Sequence, residues 1–223
     1  GVDRLSEVEP LIAGQLDDRL GRPAVLRDHE RRGPPDNAGH DVLYLGLEKQ
    51  AAGNGGDNAF GFWLFKNNNV GCSGSGSFTG AHTDGDLFID GLFTNGGGAS
   101  DVEVFRWNGN DTTGSLGSTP VATGDVCGVV TTDQQCAIAN DQTITAGAWR
   151  APATSMAPNT FVEAGIDLTA LLGANGGCFS TFLADSQSSQ STSSQPKDYA
   201  GGTLSTCVTP PIATTATPGG STV

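Results

Sequence analysis

The sequence is poor in the features that build helical, membrane-spanning and nucleic-acid-binding proteins. It has one methionine and 11 basic residues among 223, and no apolar run approaches the ~20 residues that a membrane span requires. Its 33 glycines and 11 prolines disfavour helix interiors. The 24 acidic residues give a net charge of −13, which repels phosphate backbones. The composition therefore predicts an acidic, glycine-rich β protein that binds no nucleic acid and has no membrane span in this chain.

Charge and composition divide the chain into an arm over 1–38, a domain over 39–208 and a linker over 209–223. Residues 1–32 contain six of the 11 basic residues. Apolar residues in this arm recur at helical spacings of three and four, but Pro10 interrupts the pattern, so we predict a short helical or disordered arm. The last part is rich in Pro, Thr and Gly, which is typical of linkers.

Apolar runs of strand length, separated by turn residues, fill the central domain. We predict strands over 42–47, 60–65, 87–93, 102–107, 126–130, 142–148, 160–166, 178–184 and 204–208. Asp167 before an apolar stretch and Gly173 after it predict one or two helical turns. The pattern indicates an all-β fold, a single antiparallel two-sheet sandwich of jelly-roll or immunoglobulin-like type. The predicted core consists of large apolar residues: Leu43, Leu45, Phe62, Leu64, Leu87, Ile89, Val102, Val104, Phe161 and Phe182.

Five cysteines indicate the redox environment of the domain. None forms a Cys-x-x-Cys pair, which argues against a zinc site. Cys127 and Cys136 have a separation that a hairpin bridge can close, and Cys178 and Cys207 belong to neighbouring predicted strands. We therefore predict these two disulfides, each stabilising the fold by ~2–4 kcal/mol, and an unpaired Cys72. Two disulfides indicate an extracellular or cell-wall location.

Six segments of the central domain resemble one protein family in their order and spacing. They read DVLYLGLEK, GFWLFKNNNVG, GSFTGAHTDGDLFIDGLFTNGGGASDVEVFRWNG, TFVEAGIDLTALLG, CFSTFLADSQSSQS and QPKDYAGGTLSTC. They are similar to the N-terminal β domain of large secreted bacterial surface proteins, common in actinobacteria, which continue into prealbumin-like or immunoglobulin-like repeats and a cell-wall anchor. The resemblance implies a β-sandwich at the cell surface without an established catalytic role, and a bridge between Cys178 and Cys207.

Three aspartates of the same parity indicate a cation site. In an extended chain Asp84, Asp86 and Asp90 lie on one face. Clustered carboxylates suit calcium, which takes six to eight oxygen ligands. The alternative is a turn at Gly85 that the aspartates cap and solvate, and the Gly and Glu positions of an EF-hand are absent. We expect no required cofactor, with calcium as an optional stabilising ion.

A second group of residues would suit glycoside hydrolysis. Asp101 and Glu103 have i, i+2 spacing and Glu163 could project from another strand, whereas retaining glycosidases place two carboxyl groups ~5.5 Å apart. Three tryptophans could stack on sugar rings: Trp63, Trp107 and Trp149. The Glu-x-Asp-x-x-Glu strand of sandwich-fold glucanases is absent, so the simpler interpretation places Glu103 on a solvated strand face.

Nucleophilic catalysis has less support in the sequence. Ser75 lies in a Gly/Ser run without the strand-to-helix context of a nucleophile elbow. A triad would combine a serine with His82 and either Asp84 or Asp86. Cys72 is the other candidate nucleophile, but its loop lacks the positive charge that would lower a thiol pKa.

Two hypotheses of function follow. The first is a secreted bacterial cell-surface module without catalysis, an adhesin-like spacer or carbohydrate-binding domain. Its partners would be the cell wall, another extracellular surface or a polysaccharide. The second is a secreted hydrolase on the same sandwich, a glycosidase first and an esterase second. The resemblance and the absent catalytic motifs both favour the first hypothesis.

Overall fold

The computed structural model describes residues 11–12, 24–27, 42–48, 58–72, 77–93, 99–127, 134–145, 155–173, 177–204 and 206. Within them the chain forms strands and one short helix, α1 (Leu168–Leu172). The strands are β1 (Leu11–Ile12), β2 (Ala24–Arg27), β3 (Val42–Glu48), β4 (Asn58–Phe65), β5 (Gly71–Cys72), β6 (Phe78–Thr79), β7 (Leu87–Phe93), β8 (Ala99–Asn108), β9 (Ser115–Leu116), β10 (Ala122–Gly124), β11 (Gln135–Ala139), β12 (Ile144–Thr145), β13 (Ser155–Met156), β14 (Phe161–Asp167), β15 (Thr181–Gln187) and β16 (Pro196–Thr203). No helix in this described part is long and apolar enough to cross a membrane.

The strands form two antiparallel sheets that pack as a sandwich. A five-stranded sheet has the order β1-β2-β3-β14-β11. A seven-stranded sheet has the order β10-β8-β7-β4-β15-β16, with β9 also paired to β8. Two short hairpins, β5–β6 and β12–β13, form separate two-stranded sheets. The predicted all-β sandwich with antiparallel strands is confirmed.

One apolar core lies between the two sheets. All ten predicted core residues are buried, and nine of them belong to a single cluster. The exception is Phe161, which is buried outside that cluster. In β14 the residues that join the cluster are Val162, Ala164 and Ile166. Because successive residues of a strand face opposite sides, Phe161 belongs to the other face of the five-stranded sheet.

The N-terminal arm is β structure wherever the structure describes it. β1 pairs with β2, and β2 pairs with β3, so both extend the five-stranded sheet. The prediction of a helical or disordered arm is therefore wrong for Leu11–Ile12 and Ala24–Arg27. The exposed edge of β3 offers backbone partners, whereas a helix through this region would have to accommodate Pro10.

Strand bounds in the second half of the chain differ from the prediction. No strand is predicted at β11, of which only the first two residues fall within the segment that the bridged cysteines enclose. The last strand of the described part is β16, and most of the predicted strand over 204–208 lies outside that part. Helix α1 is confirmed. Asp167 Oδ1 accepts the N–H of Ala170 at 2.9 Å, and Gly173 ends the helix with φ of 83°.

A disulfide joins Cys127 and Cys136, with Cα atoms 4.8 Å apart. The predicted pairing is confirmed, but the bridge does not close a hairpin. β10 lies at the edge of the seven-stranded sheet and β11 at the edge of the five-stranded sheet, so the bridge lies where the chain crosses between sheets. Cys178 is also disulfide-bonded. Its predicted partner Cys207 and the side chain of Cys72 lie outside the described part of the chain.

The seven-stranded sheet is buried on both faces at its centre. In β7, Leu87 and Ile89 belong to the core, whereas Phe88 and Asp90 alternate with them and face the opposite side. Phe88 is nevertheless only 1% exposed and Asp90 is 0% exposed. We call this second side of the sheet the outer face. It contains the residues of the candidate site.

Candidate functional site

Aromatic rings gather on the outer face near the end of β4. Trp63 and Trp107 have ring centroids 6.3 Å apart, and His82 lies 4.7 Å from Trp63 and 4.0 Å from Trp107. The His82 and Trp107 rings are stacked at an interplanar angle of 13°. Buried Phe65 and Phe88 form the floor, with ring centroids 5.7 and 4.8 Å from that of Trp63. We call these five residues the aromatic cluster.

Strand register explains why most of these rings meet. Trp63 and Phe65 are alternate residues of β4 and therefore share a face. Trp63 lies opposite Phe88 of β7, and Phe88 lies opposite Phe105 of β8. Trp107 follows Phe105 at the next position on the same face. The cluster is therefore a product of alternation within each strand and of pairing between strands.

A turn that precedes β7 holds His82 against the two indoles. Asp86 is 0% exposed, and its Oδ1 accepts the N–H of Lys66 at 2.9 Å. Its Oδ2 accepts the N–H of Thr83 at 2.9 Å and lies 3.3 Å from His82 Nδ1. Gly85 has φ of 86°, a backbone conformation that favours glycine. One buried carboxylate therefore connects the end of β4, the turn and the imidazole ring.

An exposed ion pair lies at the same end of the seven-stranded sheet, but Arg106 alternates with Trp107 and is the register partner of the core residue Leu87, so it faces the other side of the sheet. Arg106 Nη2 lies 3.6 Å from Asp84 Oδ2, and the two side chains are 44% and 62% exposed. Asp84 Oδ1 accepts the N–H of Gly109 at 2.9 Å. This hydrogen bond lowers the pKa of Asp84, with smaller contributions from the charges of Arg106 and Lys66. Lys66 Nζ donates to the Asp84 carbonyl at 2.7 Å. We call Lys66, Asp84 and Arg106 the rim.

Three carboxylates lie in a row across the outer face. Asp185 of β15, Gly61 of β4, Asp90 of β7 and Glu103 of β8 are successive register partners. Neighbouring strands lie ~4.8 Å apart, so Asp90 and Glu103 are direct neighbours. Gly61, which has no side chain, separates Asp90 from Asp185. We call Asp90, Glu103 and Asp185 the carboxylate row.

Burial raises the pKa of two members of the row. Asp90 is 0% exposed, and neither of its carboxylate oxygens has a hydrogen-bond partner among the described residues. Desolvation, together with the charges of Glu103 and Asp185, raises the pKa of Asp90 to about 7. Desolvation raises the pKa of Asp185 to about 6, although hydrogen bonds from Gln187 and from the backbone of Gly61 lower it. At neutral pH this row holds fewer charges than its composition suggests.

The structure does not bring the predicted calcium ligands together. Asp84 is in the rim, Asp86 supports the aromatic cluster, and Asp90 is in the carboxylate row. Among the described residues, no group of three or more His, Cys, Asp or Glu side chains is placed to hold a metal ion. The parity argument fails because the turn at Gly85 interrupts the extended chain.

The predicted glycosidase residues are divided between the two sheets. Asp101 and Glu103 are alternate residues of β8 in the seven-stranded sheet, whereas Glu163 belongs to β14 in the five-stranded sheet. The apolar core lies between these sheets, so Glu163 does not join the other two. Two of the three predicted tryptophans meet in the aromatic cluster. Trp149 lies outside the described residues.

Two of the three members of the predicted catalytic triad are in contact. His82 contacts Asp86 and not Asp84, so the hydrogen-bonded His–Asp pair forms with the more deeply buried of the two candidate acids. Ser75 and the side chain of Cys72 lie outside the part of the chain that the structure describes. The contact between Asp86 Oδ2 and His82 Nδ1 orients the imidazole ring, which stacks on Trp107.

The sequence-based predictions did not assign four residues, Asp185, Lys66, Arg106 and His82, the positions that they have in the structure. Asp185 interrupts the apolar strand TFLADSQ, and a charged residue inside a buried run is a signal that could have identified it. Lys66 and Arg106 are two of only five basic residues in 33–223, which also marks them. The role of His82 as an aromatic neighbour of both indoles depends on the turn and leaves no local signal.

A scan against protein-family models and searches of curated proteins and of solved structures found no match for this chain. The site must therefore be interpreted from its own chemistry.

Proposed function

We propose that this domain is a secreted, non-catalytic cell-surface module that binds carbohydrate at the aromatic cluster, in an adhesion or spacer role. One observation carries the proposal. The partly exposed rings of Trp63, His82 and Trp107 meet over a floor of buried phenylalanines. Flat ring faces, with nitrogen atoms at the edges of the indoles and the imidazole, therefore lie within reach of one small ligand.

The chemistry of a sugar ring complements this arrangement. A pyranose has apolar C–H faces and a periphery of hydroxyl groups, and tryptophan and histidine combine a flat apolar body with a polar tip. The indole N–H of Trp63 is a hydrogen-bond donor, and the imidazole of His82 can donate or accept according to its tautomer. Ligand sites commonly combine apolar surface with a few placed polar groups in this way.

Two further observations support a location outside the cell. The disulfide between Cys127 and Cys136 is stable in an oxidising environment and is rare in reducing compartments. The resemblance of six segments to surface proteins of bacteria agrees with it. A bacterial cell wall or another extracellular surface is accordingly the proposed partner, and a polysaccharide is the proposed ligand.

The proposal is tested by replacing an aromatic residue of the cluster. Trp107→Ala should weaken binding to purified cell walls and soluble polysaccharides by about tenfold, because an aromatic contact contributes ~1 kcal/mol or more. Sedimentation with insoluble walls and calorimetry with soluble polymers measure this loss. Trp107→Phe keeps a ring and should recover part of the affinity.

Phe78→Ala is the matched control. Phe78 is 52% exposed, and its ring contact, at 4.7 Å, is with Tyr199 and not with a ring of the aromatic cluster, so its loss should leave binding unchanged. Circular dichroism and melting temperature verify that each variant is folded. The proposal fails if the parent protein binds none of these polymers, or if Trp107→Ala and Phe78→Ala behave alike.

A glycoside hydrolase is the second candidate, and the carboxylate row is the observation that favours it. A carboxyl group with a pKa of about 7, such as Asp90, is suited to act as a general acid. Asp90 is fully buried, however, and no substrate can contact it in this structure. Release of reducing sugar from a polysaccharide panel, abolished in Glu103→Gln, would make the hydrolase the better proposal. A parallel assay on simple esters tests the esterase alternative.

A further inference from the structure

On the outer face, the charged side chains of the central strands are acidic. Residues that alternate in a strand lie on the same side of the sheet, so the register of β4, β7, β8 and β15 assigns their side chains to one side or the other. Arg106 of β8 is the register partner of the core residue Leu87 and lies on the core side. The charged side chains that these four strands place on the outer face are Asp90, Asp101, Glu103 and Asp185. The outer face therefore favours a positively charged ligand over a negatively charged one, as does the net charge of −13 of the whole chain.

An exposed carboxylate lies at the aromatic cluster itself. Asp111 belongs to the turn that follows β8, and its Oδ1 accepts the backbone N–H of His82 at 2.9 Å. The side chain of Asp111 is exposed, and its Oδ2 has no hydrogen-bond partner in the part of the chain that the structure describes. A negative charge that is open to solvent is therefore fixed beside the backbone of His82, whose ring is stacked on Trp107.

The same turn leaves the ring of Trp107, rather than its polar tip, for a ligand. Trp107 Nε1 donates to the carbonyl oxygen of Asn110 at 3.4 Å, and a Cβ added to Gly114 would collide with Nε1. The indole N–H therefore has a partner within the turn. The carboxylate of Asp111, which accepts hydrogen bonds and carries a negative charge, lies in the same turn and is open to a ligand.

An ammonium group complements these rings and this carboxylate. The faces of aromatic rings carry partial negative charge, and tryptophan attracts a cation within ~6 Å of its ring centroid. The centroids of Trp63 and Trp107 are 6.3 Å apart, so one cation over the aromatic cluster can lie within that distance of both. Asp111 adds a charge-assisted hydrogen bond at the border of the cluster, whereas a neutral hydroxyl group in the same place gains a weaker one.

We propose that the aromatic cluster and Asp111 bind carbohydrates that carry a cationic amino group more tightly than neutral carbohydrates of the same backbone. This inference rests on the proposed function, since it names the class of carbohydrate that the same site prefers. The rings supply the contact with the sugar, and the rings together with Asp111 supply the preference for positive charge.

Oligosaccharides of equal length on one β-1,4-glucan backbone test the inference with the whole chain. They carry a hydroxyl, an acetamido or a trimethylammonium group at C2, and the last of these is positively charged at every pH. Calorimetry at about pH 8, where an ordinary histidine is neutral, should show the cationic form bound about fivefold more tightly than either neutral form. This ratio should decrease as sodium chloride is added, because salt screens the charge of Asp111, whereas burial of the extra methyl groups alone would give a ratio that salt does not lower.

Asp111→Asn tests the role of the carboxylate. Asparagine keeps a side-chain oxygen that can accept the N–H of His82, so the turn is preserved while the charge is lost. The preference for the cationic form should fall to about twofold, the part that the rings supply, and the affinity for the neutral forms should stay unchanged. Asp141→Asn is the matched control, because Asp141 is exposed and lies between β11 and β12, outside the seven-stranded sheet, so the same change of charge there should leave the ratio unaltered. Circular dichroism and melting temperature verify that both variants are folded.

The outcomes separate this inference from the proposed function. If none of the three forms binds, the proposed function fails and the inference fails with it. If the neutral forms bind as tightly as the cationic form, only the inference fails. Equal losses of preference in Asp111→Asn and Asp141→Asn would overturn the role of Asp111, because the preference would then follow from net charge alone. Binding of the cationic form that Trp107→Ala leaves undiminished would also overturn the inference, because the ammonium group would then bind elsewhere on an acidic protein.

Discussion

Asp86, which directly precedes β7, and Asp90, which lies within it, are both buried aspartates, but their hydrogen bonding differs. Both are 0% exposed. The carboxylate of Asp86 accepts two backbone N–H groups and contacts His82, whereas neither oxygen of Asp90 has a partner among the described residues. One carboxylate organises its surroundings, and the other is held in an environment that favours its protonated form.

Their positions along the sheet explain the difference. Asp86 lies where β4 ends and a turn begins, so backbone N–H groups that no ladder uses are available to it. Asp90 lies in the middle of β7 between β4 and β8, where backbone groups pair with one another. A buried carboxylate is therefore stabilised at the end of a sheet and destabilised at its centre.

The largest effect is expected for Asp86→Ala. The change leaves the N–H groups of Lys66 and Thr83 without acceptors, and each lost partner of a partly buried donor costs ~1–3 kcal/mol. We expect the free energy of unfolding to fall by about 3 kcal/mol, as measured by urea denaturation. Asp101→Ala, at an exposed position, is the control and should change stability by less than about 0.5 kcal/mol. Equal losses in both variants would contradict the comparison.

Gly61→Ala tests how tightly the carboxylate row is packed. A Cβ at Gly61 would collide with Asp185 Oδ1 and would lie 2.6 Å from Phe88 Cε2 and 2.9 Å from Gln187 Nε2. We expect a loss of about 2 kcal/mol in the free energy of unfolding, because the neighbours must shift within a buried surface.

The control for Gly61→Ala is Gly165→Ala. A Cβ at Gly165 would lie 3.5 Å from the ring of Tyr44, an ordinary contact. This variant should be within about 1 kcal/mol of the parent. A Gly61→Ala protein as stable as Gly165→Ala would show that the row has space to adjust.

Asp90→Asn should reveal the raised pKa through the pH dependence of stability. The ordinary pKa of 3.8 rises to about 7 on folding, so between these values the folded state keeps a proton that the unfolded state has lost. Stability of the parent should therefore decrease as pH rises from about 4 to about 7 and then level off. The stability of Asp90→Asn relative to the parent should increase by about 2 kcal/mol between pH 5 and pH 8.

Asp185→Asn sharpens the same measurement. The pKa of Asp185 is raised less, to about 6, so its contribution should be lost over a lower and narrower range of pH. Because the charge of Asp185 helps to raise the pKa of Asp90, this variant should also move the transition of Asp90 downward. If the free energy of unfolding had the same pH dependence in the parent and in both variants, the carboxylates of the row would be hydrated and their pKa values would not be raised.

The smallest effect is expected from calcium. A shared site on Asp84, Asp86 and Asp90 would raise the melting temperature, and Asp86→Asn would abolish the rise. The three carboxylates lie in different surroundings, and both oxygens of Asp86 already accept N–H groups. We therefore expect millimolar calcium to shift the melting temperature by less than about 1 °C. A larger, Asp86-dependent shift in differential scanning calorimetry would restore the cation site.

Long runs of aromatic and aliphatic residues predicted strands correctly, whereas short strands were missed. The aromatic and aliphatic runs at 42–47, 60–65, 87–93 and 102–107 correspond to β3, β4, β7 and β8. Strands of two to five residues, such as β9 and β11, are too short to show a clear alternation of apolar and polar residues in the sequence. They form because a neighbouring strand, β8 or β14, offers backbone hydrogen-bond partners along its edge. The arm contains apolar residues at helical spacing, and strand pairing overrides that preference at β1 and β2.

The sequence by itself determined the four long strands β3, β4, β7 and β8, nine of the ten predicted core residues, the cap of α1 and the pairing of Cys127 with Cys136. These features depend on alternation within a strand or on short separations along the chain. Only the tertiary structure decided that Asp185 lies beside Asp90 and Glu103, that Glu163 lies on the other sheet, and that Asp86 is satisfied where Asp90 is not. The physical reason is that lateral register is set by pairing between distant strands, so the neighbours of a side chain on a sheet come from segments whose order and alignment no local pattern contains.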